Sequence, residues 1–498
     1  MKLLLAFPKN AKKIALLCSL FCVFFMPKTQ ANETEWTPNL KQAYQDVLSL
    51  RINAARQLLV KENDNNGLKI YVEDLADAMQ TLFTDDAALE TKWKSREDIR
   101  LNALDKLDEK SPYKQLLKAE VRFHWAVVKM NNGEEVAAAW DFIKCFYLIK
   151  ANKEQFPNFK ANLKLHGLSQ VLLGSVPEQY KWISKILGLN GNVKTGLQEL
   201  EELANGEQDF SPEARIYHAY IQTFILQNTV IGLDFAKKLT SRDPKNLLSN
   251  FMAISICLKA NEGDLAEDFL NAKPSGDFLQ PAGYKRYEGE IRLQQLHFSE
   301  AITAYTAFSK LTKGKSYLKD ACLKTAFCQH LLGNSKEAIA SIEKINTIGS
   351  IYKEKDKVAQ SFAKEFKAKG LLPNKTLLKA RFLFDGGYFE ESMKELNTKT
   401  ERDFTINTEK AEYFYRMGRV LQLSNEETKS ILNFKKSMAI IIPENDFFAA
   451  NSALQIGYIL QKQNKKEEAK IYFKKAIDFN NNPNRSSIEA KAKAAMNL

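Results

Sequence analysis

The stretch GYILQKQNKKEEAKIYFKKAIDFNNNP, running from Gly457 to Pro483, carries a spacing that leaves few folds open. Gly457 is followed twelve residues later by Ala469, Phe473 lies one helical turn beyond, and Ala476 almost one turn further. Two helices that cross closely need a small residue on each where the backbones approach, and a large one to fill the gap beside it. Ile456 and Leu460 add apolar surface at helical spacing, and Pro483 stops the second helix. The stretch therefore predicts a helical hairpin.

The same signature recurs upstream. Gly418, Ser430, Phe434 and Pro443 repeat it, and the small residue of the second helix then falls at Ser392, Ala338, Ala301, Ala266 and Gly232, with Pro244 closing the unit that contains Gly232. Successive intervals are 34, 35, 37, 54, 38 and 39 residues, most of them near the length of one tetratricopeptide unit. The interval of 54 predicts an insertion, and Ser350 to Gly370 has the spacing of an extra helix. Ala126, Gly133, Ala138 and Phe142 fit one earlier hairpin. Strand signals are nearly missing, with no sustained alternation of polar and apolar residues. Hairpins of this kind cannot bury their apolar faces alone, so they stack. The expected fold is all-α, a tetratricopeptide-like helical-hairpin solenoid, or superhelix, with a concave inner surface.

Only the first three dozen residues break the globular balance of 45% hydrophobic and 27% charged residues. Lys2, Lys9, Lys12 and Lys13 precede an apolar run from Ile14 to Met26, then Pro27 and Thr29-Gln30-Ala31. This order predicts a secretory signal peptide cut after Ala31, and the run is short for a membrane span. The expected location is outside the cytoplasm, in a bacterial periplasm or cell envelope, with peripheral envelope association and no transmembrane segment after cleavage. The signal carries five lysines and no acid, so the net charge of +12 falls to +7 (67 basic against 60 acidic side chains). A mild excess over so long a chain argues against a nucleic-acid partner. Cys145, Cys257, Cys322 and Cys328 show no C-x-x-C pair and read as buried free thiols. The predicted organisation is a signal at 1–31, a helical region at 32–155 with one repeat-like hairpin, a glycine-containing hinge at 156–205, and the array at 206–498 with its insertion near 350–370.

The hinge segment reads as an apolar helix to Leu173, a turn at Ser175 and Pro177, a second helix to Leu187, and a glycine-bearing connection to a third. Gly167, Ser175-Val176-Pro177, Leu187-Gly188-Leu189, Gly191-Asn192 and Gly196-Leu197 followed by Leu200 resemble the tetratricopeptide-repeat family of the fungal inclusion-body clearance proteins and its Bacteroidetes-type bacterial relatives, with a weaker echo at Ile488-Glu489-Ala490. The resemblance implies a protein-interaction scaffold and supplies no catalytic residues.

A survey for chemistry finds none. His124, His166, His218, His297 and His330 are isolated in the sequence, and each is expected as a surface or partly buried side chain rather than a metal ligand. Gly314-Lys315-Ser316 has Ser309 where a phosphate-binding loop needs its first glycine. No catalytic residue, cofactor or metal is predicted. The groove positions of the last two units are Glu412, Tyr415, Arg419 and Gln422, then Asn451, Leu454, Tyr458 and Gln461. Tyr415, Arg419, Gln422, Tyr458 and Gln461 are the candidate binding residues, because tyrosine and arginine favour binding hot spots. The alternative for the two tyrosines is packing against the next hairpin. These units carry too few basic groups for a clamp on carboxylates. The expected function is a non-catalytic scaffold for protein or peptide, with two rivals: an enzyme assembled from separate helices, and a carrier of a small apolar ligand or glycan.

Overall fold

The computed structural model describes residues 34–175, 188–442, 445–481 and 484–496. The predicted signal, the turn at Pro177 with the helix to Leu187, and the stops at Pro443 and Pro483 lie outside them. Every regular element among the described residues is a helix.

The amino-terminal part holds α1 (Pro38–Leu48), α2 (Ile52–Leu59), α3 (Gly67–Thr84), α4 (Ala87–Lys94), α5 (Arg96–Leu104), α6 (Pro112–Asn131), α7 (Glu135–Gln155), α8 (Asn162–Gly174) and α9 (Val193–Asn205). Side-chain caps fix several starts: the Thr37 hydroxyl accepts from the Leu40 amide, Asn66 from Leu68, and Ser111, with Pro112 at the first helical position, from Tyr113. One apolar core gathers residues from Leu40 to Ile221, and Trp125 and Tyr71 are its largest fully buried side chains.

From residue 211 the chain is a series of hairpins. They are α10 (Ser211–Tyr220) with α11 (Thr229–Arg242), α12 (Leu247–Lys259) with α13 (Gly263–Asn271), α14 (Gly283–Gln294) with α15 (Phe298–Leu311), and α16 (Leu318–Leu331) with α17 (Ser335–Lys344). After α18 (Glu354–Lys369) come α19 (Lys375–Asp385) with α20 (Phe389–Asn397), α21 (Asn407–Leu423) with α22 (Glu427–Ala439), and α23 (Phe447–Lys462) with α24 (Lys466–Asp478). α25 (Arg485–Met496) closes the array against α23 and α24. First helices also touch the first helices of the next hairpins, α21 meeting α19 and α23, which is the contact that turns a row of hairpins into a superhelix. The inserted α18 packs on α16 and lets α19 reach back to α14.

One backbone rule runs through these hairpins. Gly133, Gln227, Asn261, Leu296, Gly333, Gly387, Asn425 and Asn464 all have φ between 57° and 90°. Each stands five residues before a buried small residue of the second helix: Ala138, Gly232, Ala266, Ala301, Ala338, Ser392, Ser430 and Ala469. A left-handed residue reverses the chain within a tight turn, and glycine and asparagine adopt that conformation at least cost. Where serine replaces alanine its hydroxyl is satisfied across the crossing. Ser392 Oγ donates to the Ala380 carbonyl at 2.8 Å and Ser430 Oγ to the Gly418 carbonyl at 2.7 Å.

The array also folds back on the amino-terminal part, so the molecule is not a free curved rod. The Leu279 amide donates to the Leu50 carbonyl at 2.8 Å, the Ser316 amide to Asp85 Oδ2 at 3.0 Å, and Lys353 Nζ to the Asn131 carbonyl at 3.0 Å. Within the array, the turn of α12 and α13 meets the turn of α19 and α20. The Gly263 amide donates to the Gly386 carbonyl at 2.9 Å, and Asn261 Nδ2 to the Phe384 and Asp385 carbonyls.

Candidate functional site

The groove positions sit on α21 and α23, and most are tied into the fold. Tyr415 lies 5.9 Å from the Phe434 ring of its own hairpin and 5.6 Å from Phe448 of the next. Tyr458 meets Phe473 edge to face at 5.5 Å. Gln461 Nε2 donates to the Ala495 carbonyl at 3.0 Å, Asn451 Nδ2 donates to the Phe447 carbonyl, Leu454 is buried, and Glu412 pairs with Arg416 one turn along.

Arg419 is placed differently. Its guanidinium lies 4.9 Å over the Phe384 ring at the end of α19, and its Nη1 donates to the Tyr415 hydroxyl at 3.3 Å. Its Nε and the Gln422 Oε1 one turn away are buried with no hydrogen-bond partner among the described residues. Two further cations converge on this spot from distant parts of the chain. Lys259 ends α12, two residues before the Asn261 that bonds the Phe384 carbonyl. Lys491 lies on α25; burial first, and then repulsion from Lys259 and Arg419, holds its ammonium below the usual lysine range. The charged groups acting on Lys491 are thus both cations. Superhelical winding supplies the basic groups that the last two units lack by themselves.

A second cluster, wholly interior, lies between α3, α6, α8 and α10. Lys164 is fully buried, with Nζ 3.0 Å from Glu120 Oε2 and 2.9 Å from Glu213 Oε1, and it donates to the Tyr71 hydroxyl at 3.1 Å. Tyr44 donates to Glu213 at 2.8 Å, and Tyr71 also bonds that carboxylate. His124 Nδ1 stands 2.7 Å from Asp74 Oδ2, Trp125 Nε1 donates to Asp74 Oδ1 at 3.0 Å, and Arg100 spans Asp74 and Asp77. Burial, with Glu213 adding to it against the pull of Lys164, pushes the Glu120 carboxyl up to about 7. For Glu213 burial acts in the same sense, but Lys164, His124 and the hydrogen bond from Tyr71 outweigh it and hold the carboxyl below the ordinary range.

Glu120, His124 and Glu213 bring three donor atoms within 4.8 Å of one another, a spacing within reach of a metal ion. The cation between the two carboxylates is Lys164 itself, which has no solvent-facing position to retreat to. We read the cluster as a folded-in charge network whose counter-ion is covalent. The same burial makes it a poor active site, since Asp74, Glu120 and Lys164 are all 0% exposed.

The histidine expectation needs correction here. His124, His218 and His330 are buried, with His218 4.4 Å from the Phe235 ring and His330 Nε2 2.9 Å from the Pro373 carbonyl. Beside Glu120 one turn away on α6, partners for His124 come from helices 50 and 89 positions away, Asp74 and Glu213, which spacing along the chain does not signal. The available hint is that Lys114, Glu120, His124 and Lys129 recur at four- to six-residue steps among the inward-facing apolar residues of α6. Of the four cysteines among the described residues, Cys145, Cys257 and Cys328 are buried and Cys322 is half-buried, all as free thiols.

An open cavity of about 430 Å³ lies beside α7 and α8, lined by Phe146, Lys150, Lys153, Glu154, His166, Gln170, Gly188 and Asn190. Its charged rim and open mouth do not suit a small apolar ligand. No helix among the described residues is long and apolar enough to cross a membrane.

No curated protein matches the chain. Among solved structures, the APC/C hetero-tetramer Cut9–Hcn1 is similar at 13% identity, covering 97% of this chain and 99% of that one, with a TM-score of 0.28. A monomeric mutant of IFIT1 with Gppp-AAAA is similar at 13% identity, covering 89% and 96%, with a TM-score of 0.30. These superpositions are loose, and the helix pairing described above carries the fold. In sequence, residues 450–483 match the family model of the tetratricopeptide repeat. The hairpin of α23 and α24 is therefore similar to that repeat in sequence as well as in geometry, and the hairpins before it repeat its geometry and the placing of its small residues.

Proposed function

We propose that this chain is an exported, non-catalytic scaffold that holds a protein or peptide partner in the concave face of its hairpin array, in a bacterial periplasm or cell envelope. The observation that carries the reading is Arg419. Its guanidinium meets the Phe384 ring and the Tyr415 hydroxyl and no carboxylate among the described residues, which leaves the charge open to an acidic or carbonyl group of a partner. The stacked hairpins support a scaffold, and the order of the first 31 residues supports export. Kinship with the fungal inclusion-body clearance proteins and their bacterial relatives is part of the proposal and rests on the hinge motif. Gly167 and Gly196 of that motif approach each other's backbone, so the motif reads as packing and assigns no chemistry.

Crosslinking in the native cell, followed by identification of captured proteins, tests the reading. Substituting Arg419 and Tyr458 should weaken capture while the chain keeps its helical signal, with some loss of melting temperature from Tyr458, which packs on Phe473. Capture that is unchanged would move the binding surface elsewhere.

A further inference from the structure

α7 is apolar on two opposite faces, and among the described residues only one of them is covered. Ala138, Cys145 and Ile149 turn inward, where α7 packs on α6 and α8. On the opposite face Val136 is 73% exposed, Trp140 55%, and Tyr147, which touches Phe146 edge to face, 47%, with half-buried Ile143 between them. Steps of four, three and four residues make these a continuous stripe along the helix. The other described tryptophans, Trp36, Trp93 and Trp125, are buried or half-buried. At the amino-terminal end of the stripe the patch widens. The Tyr352 ring lies against Gly133 in the turn between α6 and α7, and Met130, Ile351 and Tyr352 are exposed as well. A helix with apolar residues on both sides ordinarily has neighbours on both, and an exposed apolar patch of this kind marks an interaction surface.

Charge decides what covers it. Glu135, Lys144 and Lys150 flank the stripe, and none of the three is in an ion pair among the described residues. Turning the helix end for end about a two-fold axis between residues 141 and 142 sets Trp140 against Ile143 of the second copy and Val136 against Tyr147 of the second copy. Glu135 and Lys150 lie on the same flank, and such an axis keeps each flank on its own side. Glu135 therefore comes within two residue positions, about 3 Å along the helix, of Lys150 of the second copy. On the other flank Lys144 comes within one position of Trp140 of the second copy, whose ring face attracts a cation. An anionic lipid surface matches one sign of charge, whereas these flanks carry both.

We infer that α7 is the contact between two copies of this chain, paired antiparallel about a two-fold axis, with Trp140 near its centre and a Glu135–Lys150 pair at each end. With 21 residues α7 is about 31 Å long. A stable dimer buries roughly 1,200 Å² or more in total, so Met130, Ile351 and Tyr352 extend the contact beyond the two helices. The inference goes beyond the scaffold reading and stands whatever the groove of the array holds.

Sedimentation equilibrium of the purified mature chain at tens of micromolar tests this, and should give twice the mass of one chain. Trp140→Asp should give the mass of one chain while far-UV circular dichroism stays that of the parent, since the side chain is more than half exposed. Glu135→Lys and Lys150→Glu should each weaken the dimer about tenfold or more by setting like charges against each other, and the two together should restore it to within about threefold. The two positions are fifteen residues apart on one helix, about 22 Å, so a rescue passes between copies and not within one. A parent chain of single mass would overturn the inference, as would a dimer that survives Trp140→Asp or a double swap that fails to rescue. A single-mass parent that binds phosphatidylglycerol vesicles, and loses them on Trp140→Asp, would overturn it and reassign the stripe to a lipid surface.

Discussion

The ring of Phe473 occupies the space that a side chain on Gly457 would need: a β-carbon built on Gly457 would stand 2.4 Å from Phe473 Cε1. Gly418 and Phe434 repeat the relation at 2.6 Å one hairpin earlier, and Gly289 and Tyr305 at 2.8 Å in α14 and α15. Gly457→Ala should therefore destabilise the chain by about 1 to 3 kcal/mol, although alanine is the better helix former. Phe473→Leu should cost stability alone but recover part of the loss when combined with Gly457→Ala. Denaturant unfolding of the two single variants and the double variant measures this coupling, and strict additivity would refute it.

A second close approach lies in the hinge. A β-carbon on Gly196 would stand 2.4 Å from the Gly167 carbonyl oxygen, and one on Gly167 would stand 2.8 Å from that of Gly196. Here the obstacle is backbone, which cannot turn aside as a ring can. Gly196→Ala should cost at least about 2 kcal/mol and loosen α8 from α9. Faster amide exchange in both helices, beyond that of α23, is the measurement that checks it.

The turn rule predicts a gain. Gln227 is exposed and holds φ 57°, where a residue with a β-carbon is strained. Gln227→Gly should raise stability by roughly 1 kcal/mol in a melting experiment, whereas the same change at exposed Lys238, within α11, should lower it by a similar amount.

Lys164 pairs with both Glu120 and Glu213, at 3.0 and 2.9 Å. Lys164→Met leaves two buried carboxylates facing each other and should cost at least about 3 kcal/mol. Adding Glu120→Gln should return part of that loss. Added zinc should leave the melting temperature of the parent unchanged, because the ammonium already fills the place between the carboxylates.

The same network gives stability a pH dependence with a definite sign. Glu120 titrates near 7 in the folded chain and near 4.5 when unfolded, so between those values the folded chain binds more protons. Its contribution is present below about pH 4.5 and is lost as pH rises through about 7. Glu213, held below its ordinary value, acts only in the acid range, losing its contribution as pH falls through its folded value. Unfolding free energy measured from pH 5 to 7 should thus decline less steeply in Glu120→Gln than in the parent.

Sequence by itself determined the hairpins. A twelve-residue step between small residues and a turn's step to the next large one are local constraints, met within about 34 residues, so Gly418 with Ser430 and Gly457 with Ala469 are legible without any knowledge of the rest. The left-handed turn residue was legible too where it is glycine or asparagine, and hidden at Gln227 and Leu296, where the fold overrides preference. The candidate groove was legible only as positions on α21 and α23. Tertiary structure decided which of those side chains are spent on packing, as Tyr415 is on Phe448, and which meet no carboxylate, as Arg419 over the Phe384 ring. It alone decided that Lys164, Glu120 and Glu213 share one interior. The reason is that the packing of helices on one another brings together residues from tens to more than two hundred positions apart, and its angles accumulate from every crossing along the chain, so no single spacing encodes it.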